Sequence, residues 1–356
     1  MVRAMDTPLI TIIILNWNSL DITLECIKSV FGLNYHNFNV VVVDNGSSDD
    51  SAAIIRSRYP QTIVLENSEN LGFTGGNNTG IRHALHLDAD YVWLLNNDTV
   101  VESDTLSRIV ATAESDSTIG MVSPVMYFYE EPSIIQNCGC YIDWKDQKLI
   151  NTTSPVESEF WQMQMPDRIW LWGTALLIKK TVINDIGLLD NNLFAYWEDT
   201  DFSVRVLRAG YRNVVDLSAK IFHRTPVPKF GVIRRSPHYF YYMARNEYYF
   251  WMKYLRGINK LNFLRNYIGN VIFQAAPSLQ INNSECAVAC FSGARDAVCG
   301  VTGRWIKDTA TPRWLKVAMT LFSWHPHFWS VLVKGDLSGV LRDIIKKVGT
   351  IQKPDA

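Results

Sequence analysis

The sequence predicts an α/β fold with a mostly parallel sheet flanked by helices, followed by a helical C-terminal region. Over the first hundred residues, short runs of β-branched apolar residues alternate with segments of helical period. Two of these runs stop abruptly at small polar residues around a carboxylate, at Asp44 and at Asp98. The carboxyl ends of parallel strands form the ligand-binding edge of open α/β sheets, so we expect both acids at that edge.

Four strands with helices between them are predicted in this first part of the chain. The strands cover Leu9–Leu15, Phe38–Val43, Thr62–Leu65 and Tyr91–Asn96. Apolar residues from Leu20 to Phe31 repeat at helical spacing, and residues 45–49 supply a turn and an N-cap for a helix that reaches Tyr59. Helical crossovers between strands predict a parallel sheet that is covered on both faces.

The later elements follow a stretch that contains four prolines. We interpret residues 123–168 as a partly β insertion beside the site. After it, the pattern predicts a strand over Leu171–Ile178 and a helix over Thr200–Ala209 that ends at Gly210. A further strand is expected over Asn213–Phe222.

The composition changes after Pro226-Val-Pro228, which predicts a domain of residues 1–228 and a C-terminal region of residues 229–356. Tyr239–Phe273 is aromatic, basic and helical in period. Beyond it, tryptophans interleave with cations from Trp305 onward, a pattern typical of a helix in a membrane interface and equally of an aromatic core. Lys316, two histidines and Pro326 interrupt Trp314–Val333, so no membrane-spanning helix is expected.

The composition excludes some classes of function. The formal net charge is −1, which gives no support for nucleic acid as a partner. The six cysteines lack zinc-ligand spacing, and Cys138-Gly-Cys140 is too tight for an easy disulfide. We therefore expect a reduced, cytoplasmic protein, with peripheral contact on the inner face of the plasma membrane as an option.

Two segments suggest a nucleotide site. The carboxylate of Asp44, at a strand end, can accept hydrogen bonds from a base or a ribose, although the same residues are typical of a plain turn with a helix cap. The segment from Asn70 to Gly80 resembles a phosphate-cradling loop that opens into a helix, and an ordinary glycine loop explains it equally well.

Two acid clusters suggest a metal and a base. Asp98 and its amide and hydroxyl neighbours suit Mg²⁺ or Mn²⁺, or cap the next helix. Glu198-Asp199-Thr200-Asp201 opens a helix, where one acid serves as a cap and another is available as a general base. Like-charge repulsion from Glu198 and Asp201 is expected to raise the pKa of Asp199. His223 is either structural or a second metal ligand.

Taken in order, these motifs resemble the inverting family-2 glycosyltransferases of the GT-A fold, especially their rhamnosyltransferase-like and galactofuranosyltransferase-like members. The resemblance runs from Ile10 to about Pro226 and rests on Ile-Leu-Asn16-Trp-Asn18-Ser, Val-Val-Asp44-Asn-Gly-Ser-Ser-Asp49, Asn70-Leu-Gly-Phe, Leu-Asn-Asn-Asp98, Trp172-Gly-Thr-Ala and Glu198-Asp199-Thr-Asp201-Phe. At the family's DxD motif the first acid is replaced by Asn96, so metal affinity stays open.

The resemblance implies a role for each matching position. Asp199 would be the catalytic base, and Asp98 and His223 would hold Mg²⁺ or Mn²⁺. The donor would be bound by Asn16, Asp44, Asn70, Gly72, Asn97 and Asp98. We expect Trp172, Trp197 and Glu198 to contact the acceptor or the sugar. Arg205 would pair with Asp201 or reach the substrate.

The sequence therefore predicts a metal-dependent, inverting glycosyltransferase. It would move a sugar, with rhamnose as the first choice, from a dTDP- or UDP-linked donor to a glycan or lipid-linked glycan. The context would be bacterial surface polysaccharide synthesis, such as O-antigen or cell wall. Two alternatives stay open, namely a nucleotidyltransferase and a non-catalytic glycan-binding or scaffold protein derived from a transferase.

Overall fold

The computed structural model describes residues 7–227, 235–280 and 284–307. The chain divides into two compact units, one of residues 1–233 and 302–304 and the other of residues 234–301 and 305–356. The domain boundary predicted at residue 228 lies outside the described residues.

A nine-stranded sheet with flanking helices forms the first unit. Its strands and those of a separate hairpin are β1 (Ile10–Asn16), β2 (Phe38–Asp44), β3 (Ile63–Glu66), β4 (Tyr91–Asn96), β5 (Thr99–Val101), β6 (Ile119–Phe128), β7 (Ile135–Asn137), β8 (Gly139–Asp143), β9 (Lys148–Thr152), β10 (Ala175–Lys179) and β11 (Arg212–His223). The helices are α1 (Leu20–Val30), α2 (Ser51–Arg58), α3 (Gly72–His86), α4 (Thr105–Ser115), α5 (Pro155–Gln164), α6 (Lys180–Ile186) and α7 (Glu198–Arg208). A short 3₁₀ turn covers Pro166–Arg168.

The strand order is β3-β2-β1-β4-β10-β6-β11-β5, with β7 added beside β6, while β8 and β9 form the hairpin. Pairing is parallel from β3 to β4 and between β6 and β11. Strand β10 runs antiparallel between β4 and β6. The α/β class is confirmed, and the sheet is mixed because β10, β5 and β7 each pair antiparallel with their neighbours.

The register of β1 positions the site. Asn16 lies opposite Asp44 on β2, and Leu15 lies opposite Asn96 on β4. Ile12 and Ile13 are fully buried on opposite faces of the sheet, each in a different apolar cluster. Continuous burial of this kind is typical of a central parallel strand, so the polar residues appear only where the strands end.

The glycines expected to cradle a phosphate lie instead within helix α3. A Cβ atom on Gly76 would approach Leu15 Cδ1 to 2.4 Å, and one on Gly80 would approach Ile13 Cγ2 to 2.5 Å. These two glycines therefore let the helix pack closely on β1. The structure corrects the loop interpretation, since the helix already begins at Gly72.

Three helices make up the described part of the second unit, α8 (Pro237–Tyr254), α9 (Gly257–Gln280) and α10 (Ser284–Val298). The single helical stretch expected over Tyr239–Phe273 is thus two helices. Trp305 is buried and stacks on Tyr241 with ring centroids 4.7 Å apart, so the core alternative applies to it. Within the described residues, no helix is both long and apolar enough to cross a membrane. Trp314–Val333 lies outside the described residues.

We predict that Gly76→Ala and Gly80→Ala each destabilise the protein by about 1–3 kcal/mol, because the added methyl forces α3 away from β1. Urea unfolding measures the change. Gly269→Ala is the matched control, since this helical glycine has nothing within 4 Å of an added Cβ. The control should be neutral or stabilising by up to about 1 kcal/mol. Equal midpoints for all three variants would contradict the packing role.

Candidate active site

Asn16 and Asp44 form a buried hydrogen-bonded pair at the carboxyl edge of the sheet. The Asn16 amide donates to Asp44 Oδ2 over 2.8 Å, and the Thr23 hydroxyl donates to Asn16 Oδ1 over 2.7 Å. The backbone N–H of Ser47 donates to Asp44 Oδ1 over 2.9 Å. Each carboxylate oxygen keeps further lone pairs, so Asp44 is held in one orientation and can still accept from a ligand.

The same network reaches the end of β4. The Asn97 amide donates to the Thr23 hydroxyl over 2.8 Å, and Thr23 in turn binds Asn16. Asn97, Thr23, Asn16 and Asp44 therefore form one continuous chain that joins the end of β4 to α1, β1 and β2. The structure brings together three residues that the sequence placed in a donor site, and Thr23, on α1, is the link that the sequence reasoning missed.

Asn70 and Gly72 shape the start of α3. Asn70 Oδ1 accepts the backbone N–H of Gly72 at 2.8 Å and the amide of Asn45 at 3.2 Å. Gly72 has φ +75°, and a Cβ there would lie 2.4 Å from the carbonyl oxygen of Phe194. Only glycine fits this left-handed, crowded position without strain. Both residues have a local structural role, and their contact with a nucleotide sugar stays a prediction.

Asp98 and His223 face each other across neighbouring strand ends. His223 Nε2 lies 3.3 Å from Asp98 Oδ1, an oxygen that is buried without a hydrogen bond in the described part of the chain. His223 Nδ1 lies 2.9 Å from Gln136 Oε1, an acceptor, which assigns the proton to Nδ1. The lone pairs of His223 Nε2 and Asp98 Oδ1 then face each other. A cation between these two atoms, or a proton on one of them, stabilises that arrangement.

These two side chains fit the metal that the sequence suggested. A carboxylate oxygen and an imidazole nitrogen are ordinary ligands of divalent cations. Among residues 7–227, 235–280 and 284–307, no group of three or more His, Cys, Asp or Glu side chains is arranged to hold an ion. An ion held by Asp98 and His223 would need its remaining ligands from water and substrate phosphate.

The backbone and one ion pair fix the position of His223. His223 lies opposite Thr99 in the pairing of β11 with β5, and the Arg224 N–H donates to the Asp98 carbonyl over 2.8 Å. The Arg224 guanidinium pairs with Glu25 on α1 and lies over the Tyr129 ring, 3.6 Å from its centroid. Gln136 and Arg224 support the candidate metal site, and neither carries a local sequence signal for that role.

Asp199 begins α7 with both carboxylate oxygens engaged. Oδ2 accepts the Gly173 N–H at 2.8 Å, and Oδ1 accepts the Thr200 N–H at 2.6 Å. Burial raises the pKa of Asp199, although these hydrogen bonds oppose the shift. The expected direction is therefore correct, but its main cause is loss of solvation rather than repulsion from Glu198 and Asp201.

A short segment joins this acid to the sheet edge. The N–H of Asn96, two residues before Asp98, donates to the Thr174 carbonyl over 2.9 Å. The neighbouring residue, Gly173, donates to Asp199. The acid expected to bind metal and the acid expected to act as a base are thus connected through four residues, and the segment between them leads directly into β10.

The other acids of the cluster have different environments. Glu198 is buried, its Oε2 has no hydrogen bond from the described residues, and burial together with the charges of Asp199 and Asp201 raises its pKa well above the usual range. Asp201 pairs with Arg205 at 2.9 Å. Because Arg205 also donates to the carbonyls at 186 and 188, it holds the loop before α7 and is not placed to reach a substrate.

The two candidate tryptophans differ in exposure. Trp172 is half-buried, and its indole N–H donates to Asn151 Oδ1 on β9 over 3.1 Å. Trp197 is only 7% exposed and has a left-handed backbone with φ +71°. Trp172 therefore offers ring surface beside Gly173, whereas burial favours a core role for Trp197 over the expected contact with a sugar.

Comparison with known families agrees with this geometry. The family model described as glycosyl transferase family 2 matches residues 11–166, and the one described as glycosyl transferase family group 2 matches residues 91–343. Poly-β-1,6-N-acetyl-D-glucosamine synthase of Staphylococcus aureus strain MSSA476 is 24% identical over 214 residues, which is 57% of this chain and 47% of that protein. The chain thus spans about half the length of such curated relatives.

Solved structures with a similar fold include two complexes with nucleotide sugars. One is the mannosyltransferase PcManGT from Pyrobaculum calidifontis in complex with GDP-Man and Mn²⁺, which is 15% identical to this chain. The match has a TM-score of 0.52 and covers 98% of this chain and 89% of that chain. S. aureus TarS 1–349 with UDP-GlcNAc is also 15% identical, with a TM-score of 0.54 over 93% and 89%. The GT-A fold prediction is confirmed.

We predict that Glu198→Gln changes how stability depends on pH. An unfolded Glu ionises near its ordinary pKa of about 4.3, whereas the folded chain retains the Glu198 proton to higher pH, so wild-type stability falls as pH rises through the raised pKa. Glutamine has no proton to lose. Relative to wild type, the variant should therefore gain unfolding free energy between about pH 5 and about pH 8.

Urea unfolding at the two pH values measures that difference. Glu159→Gln, at an exposed position on α5, is the matched control and should track wild type because water solvates its charge in both states. If the difference in unfolding free energy between Glu198→Gln and wild type were the same at both pH values, Glu198 would be ionised in the folded protein at both.

Proposed function

Because this chain belongs to the family-2 glycosyltransferases, we propose that it is an inverting transferase that uses a nucleotide-diphosphate sugar. The observation that supports this most strongly is the continuous edge from Asp44 and Asn16 through Asn97 to the Asp98–His223 pair, linked to Asp199 by the Asn96–Thr174 hydrogen bond. A nucleotide site, a cation site and a base then lie along one edge of one sheet.

Asp199 would take the proton of the acceptor hydroxyl as that hydroxyl attacks the anomeric carbon. The bonds from Gly173 and Thr200 fix the direction of its lone pairs. Its raised pKa increases its proton affinity while leaving it an acid that ionises, which suits a general base. The raised pKa of the neighbouring Glu198 favours its protonated form, which would avoid a second negative charge at the moment of proton transfer.

Asp98 and His223 would hold a divalent cation, which when bound neutralises charge on the departing diphosphate. Asp44 would accept hydrogen bonds from the base or ribose, with Asn16 fixing its orientation. Asn97 lies in the same hydrogen-bond chain and would contact the donor. Trp172 would provide a ring for the acceptor sugar, since part of its surface is exposed beside Gly173.

The donor and acceptor are inferred from chemistry and resemblance. Rhamnose on dTDP is the first choice for the donor, and the UDP sugars, such as the UDP-GlcNAc bound by TarS, are the nearest rivals. The acceptor would be a growing surface glycan carried on a lipid at the inner face of the membrane. The poly-N-acetylglucosamine synthase relatives support a role in polysaccharide synthesis.

A donor panel tests the proposal. Purified full-length protein would be titrated with dTDP-rhamnose, UDP-galactofuranose, UDP-glucose, UDP-N-acetylglucosamine and GDP-mannose, each with and without Mn²⁺, and slow donor hydrolysis would be followed. Mn²⁺-dependent preference for one donor is the expected result. Binding of a donor without hydrolysis or transfer would instead favour a glycan-binding protein derived from a transferase.

We predict that Asp199→Asn lowers turnover by about 10²–10⁴-fold without weakening donor binding, because the amide cannot accept the proton and Asp199 is not among the residues proposed to bind the donor. Glu198→Gln is the matched control, an identical change on the adjacent acid, and should retain turnover. Initial rates and donor titration on both variants measure this. Near-wild-type turnover in Asp199→Asn would remove Asp199 from the role of base.

We predict that Asp98→Ala and His223→Ala remove the Mn²⁺-dependent part of donor affinity, because each deletes a ligand atom. Gln136→Leu should weaken Mn²⁺ binding by about 10–100-fold, since Gln136 orients the His223 ring. Mn²⁺ titration followed by electron paramagnetic resonance, with and without nucleotide, is the measurement. Asp167→Ala, at an exposed acid in the 3₁₀ turn, is the control. Unchanged Mn²⁺ affinity in Asp98→Ala would contradict the site.

A further inference from the structure

Helix α9 of the second unit has two apolar faces. One contains Phe263, Tyr267 and Val271, which are between 1% and 4% exposed and belong to the core of the unit. The other consists of Ile258, Leu261, Leu264 and Ile268, which are 68%, 62%, 37% and 68% exposed. Spacings of three, three and four residues place these four on one stripe of the helix, which we call the α9 apolar face.

The chain around this stripe is strictly cationic. Residues 248–280 contain Lys253, Arg256, Lys260 and Arg265 and no Asp or Glu. Lys253, Arg256 and Arg265 are exposed, and Lys260 is half-buried. The nearest preceding acid, Glu247, is buried against α9, where it accepts from Gln274 over 3.0 Å. The sequence around the α9 apolar face thus carries four cations and no acid between residues 248 and 280.

We propose that the α9 apolar face binds the surface of a lipid bilayer that contains anionic headgroups, with the helix lying in the plane of the interface. Exposed Leu and Ile side chains enter the boundary between headgroups and acyl chains, and Lys and Arg contact the phosphates above them. The long stems of the cations also cover apolar surface while their charges stay in water. The stripe from Ile258 to Ile268 is an interfacial length, far shorter than a span.

Charge selects this occupant over a second copy of the chain. In a two-fold dimer through this face, Arg265 and Lys260 of both copies would meet at a self-complementary patch. Like charges would then be brought together as the apolar side chains were buried. An anionic bilayer satisfies both features at once, because its apolar layer accepts the stripe and its phosphates accept the cations.

The proposed lipid-linked acceptor gives this surface its purpose, so in biological terms the inference rests on the proposed function. The two fail separately, however. Vesicle binding requires no donor, and hydrolysis of a soluble donor requires no vesicle. A protein that hydrolyses the donor but ignores vesicles would overturn only the surface, and the reverse result would overturn only the transferase.

The test is co-sedimentation of the full-length protein with vesicles of phosphatidylcholine alone or mixed with phosphatidylglycerol. The protein is expected to bind the mixed vesicles, and this binding should weaken as the salt concentration rises. Leu261→Ser combined with Ile268→Ser should lower the partition coefficient at least about tenfold, since it removes two inserting side chains. Val156→Ser combined with Met163→Ser is the matched control, because these α5 residues are 77% and 64% exposed and lack the cationic flank.

Charge is tested separately with Lys260→Gln combined with Arg265→Gln. This variant should lose the preference for phosphatidylglycerol and the salt dependence of binding. All the substituted side chains except Lys260 are exposed, so thermal unfolding and donor hydrolysis should stay as in wild type. If the wild type, the Leu261→Ser and Ile268→Ser double variant and the Lys260→Gln and Arg265→Gln double variant all bound vesicles equally, the proposal would be overturned.

A site-specific probe decides whether the face is open. Leu261→Cys in a Cys299→Ser background leaves one exposed thiol, because the other five cysteines are buried. A dye sensitive to polarity, attached at this thiol, should shift to the blue with phosphatidylglycerol vesicles. If the thiol of the folded protein could not be labelled, another part of the chain would cover the α9 apolar face. If the blue shift appeared with rising protein concentration and no vesicles, a second copy would cover it. Either result would overturn the proposal.

Discussion

The parallel pairing of β1 with β2 and β4 is the constraint on which the rest of the site depends. Its register places Asn16 opposite Asp44 and Leu15 opposite Asn96, so two polar strand ends meet at one edge. A slip of one residue would move every buried side chain of β1 to the other face of the sheet. Because both faces are buried by apolar clusters, such a slip is strongly opposed, and the positions of Asn16 and Asp44 at the strand ends are fixed with the same precision.

The site gathers several acids in partly buried positions, and the chain compensates each by a different means. Asp44 receives an amide and a backbone N–H, and Asp201 is neutralised by Arg205. Burial keeps Glu198 protonated to higher pH, while Asp199 keeps its bonds to backbone N–H groups. Two acid oxygens of the site, Asp98 Oδ1 and Glu198 Oε2, are buried and receive no hydrogen bond from a described donor. An uncompensated buried oxygen is costly; the raised pKa of Glu198 lowers that cost by favouring its protonated form, and a positive charge would lower it at Asp98.

The sequence predicted the strand ends well because their signals are local. An apolar run that stops at an acid specifies both the strand and the edge where Asp44 and Asp98 lie. Other features depend on tertiary contacts that no local pattern encodes. In the sequence Gly76 and Gly80 are typical of a loop, and only their packing against β1 explains them. Gln136 has a role near the site only because β7 brings it beside His223. The antiparallel direction of β10 likewise depends on the whole fold, and so does the deeper burial of Glu198 than of the adjacent Asp199.

The replacement of an acid by Asn96 has a physical consequence for a cation at Asp98. With one carboxylate and one neutral imidazole as protein ligands, a divalent ion would keep more of its positive charge than between two carboxylates, and the protein alone would hold it more weakly. A diphosphate would then supply the missing negative ligands. Cation and donor would bind interdependently, each raising the affinity of the other by the same factor. The backbone of Asn96 is held by hydrogen bonds to Thr174 and Thr99, and its side chain adds no charge beside Asp98.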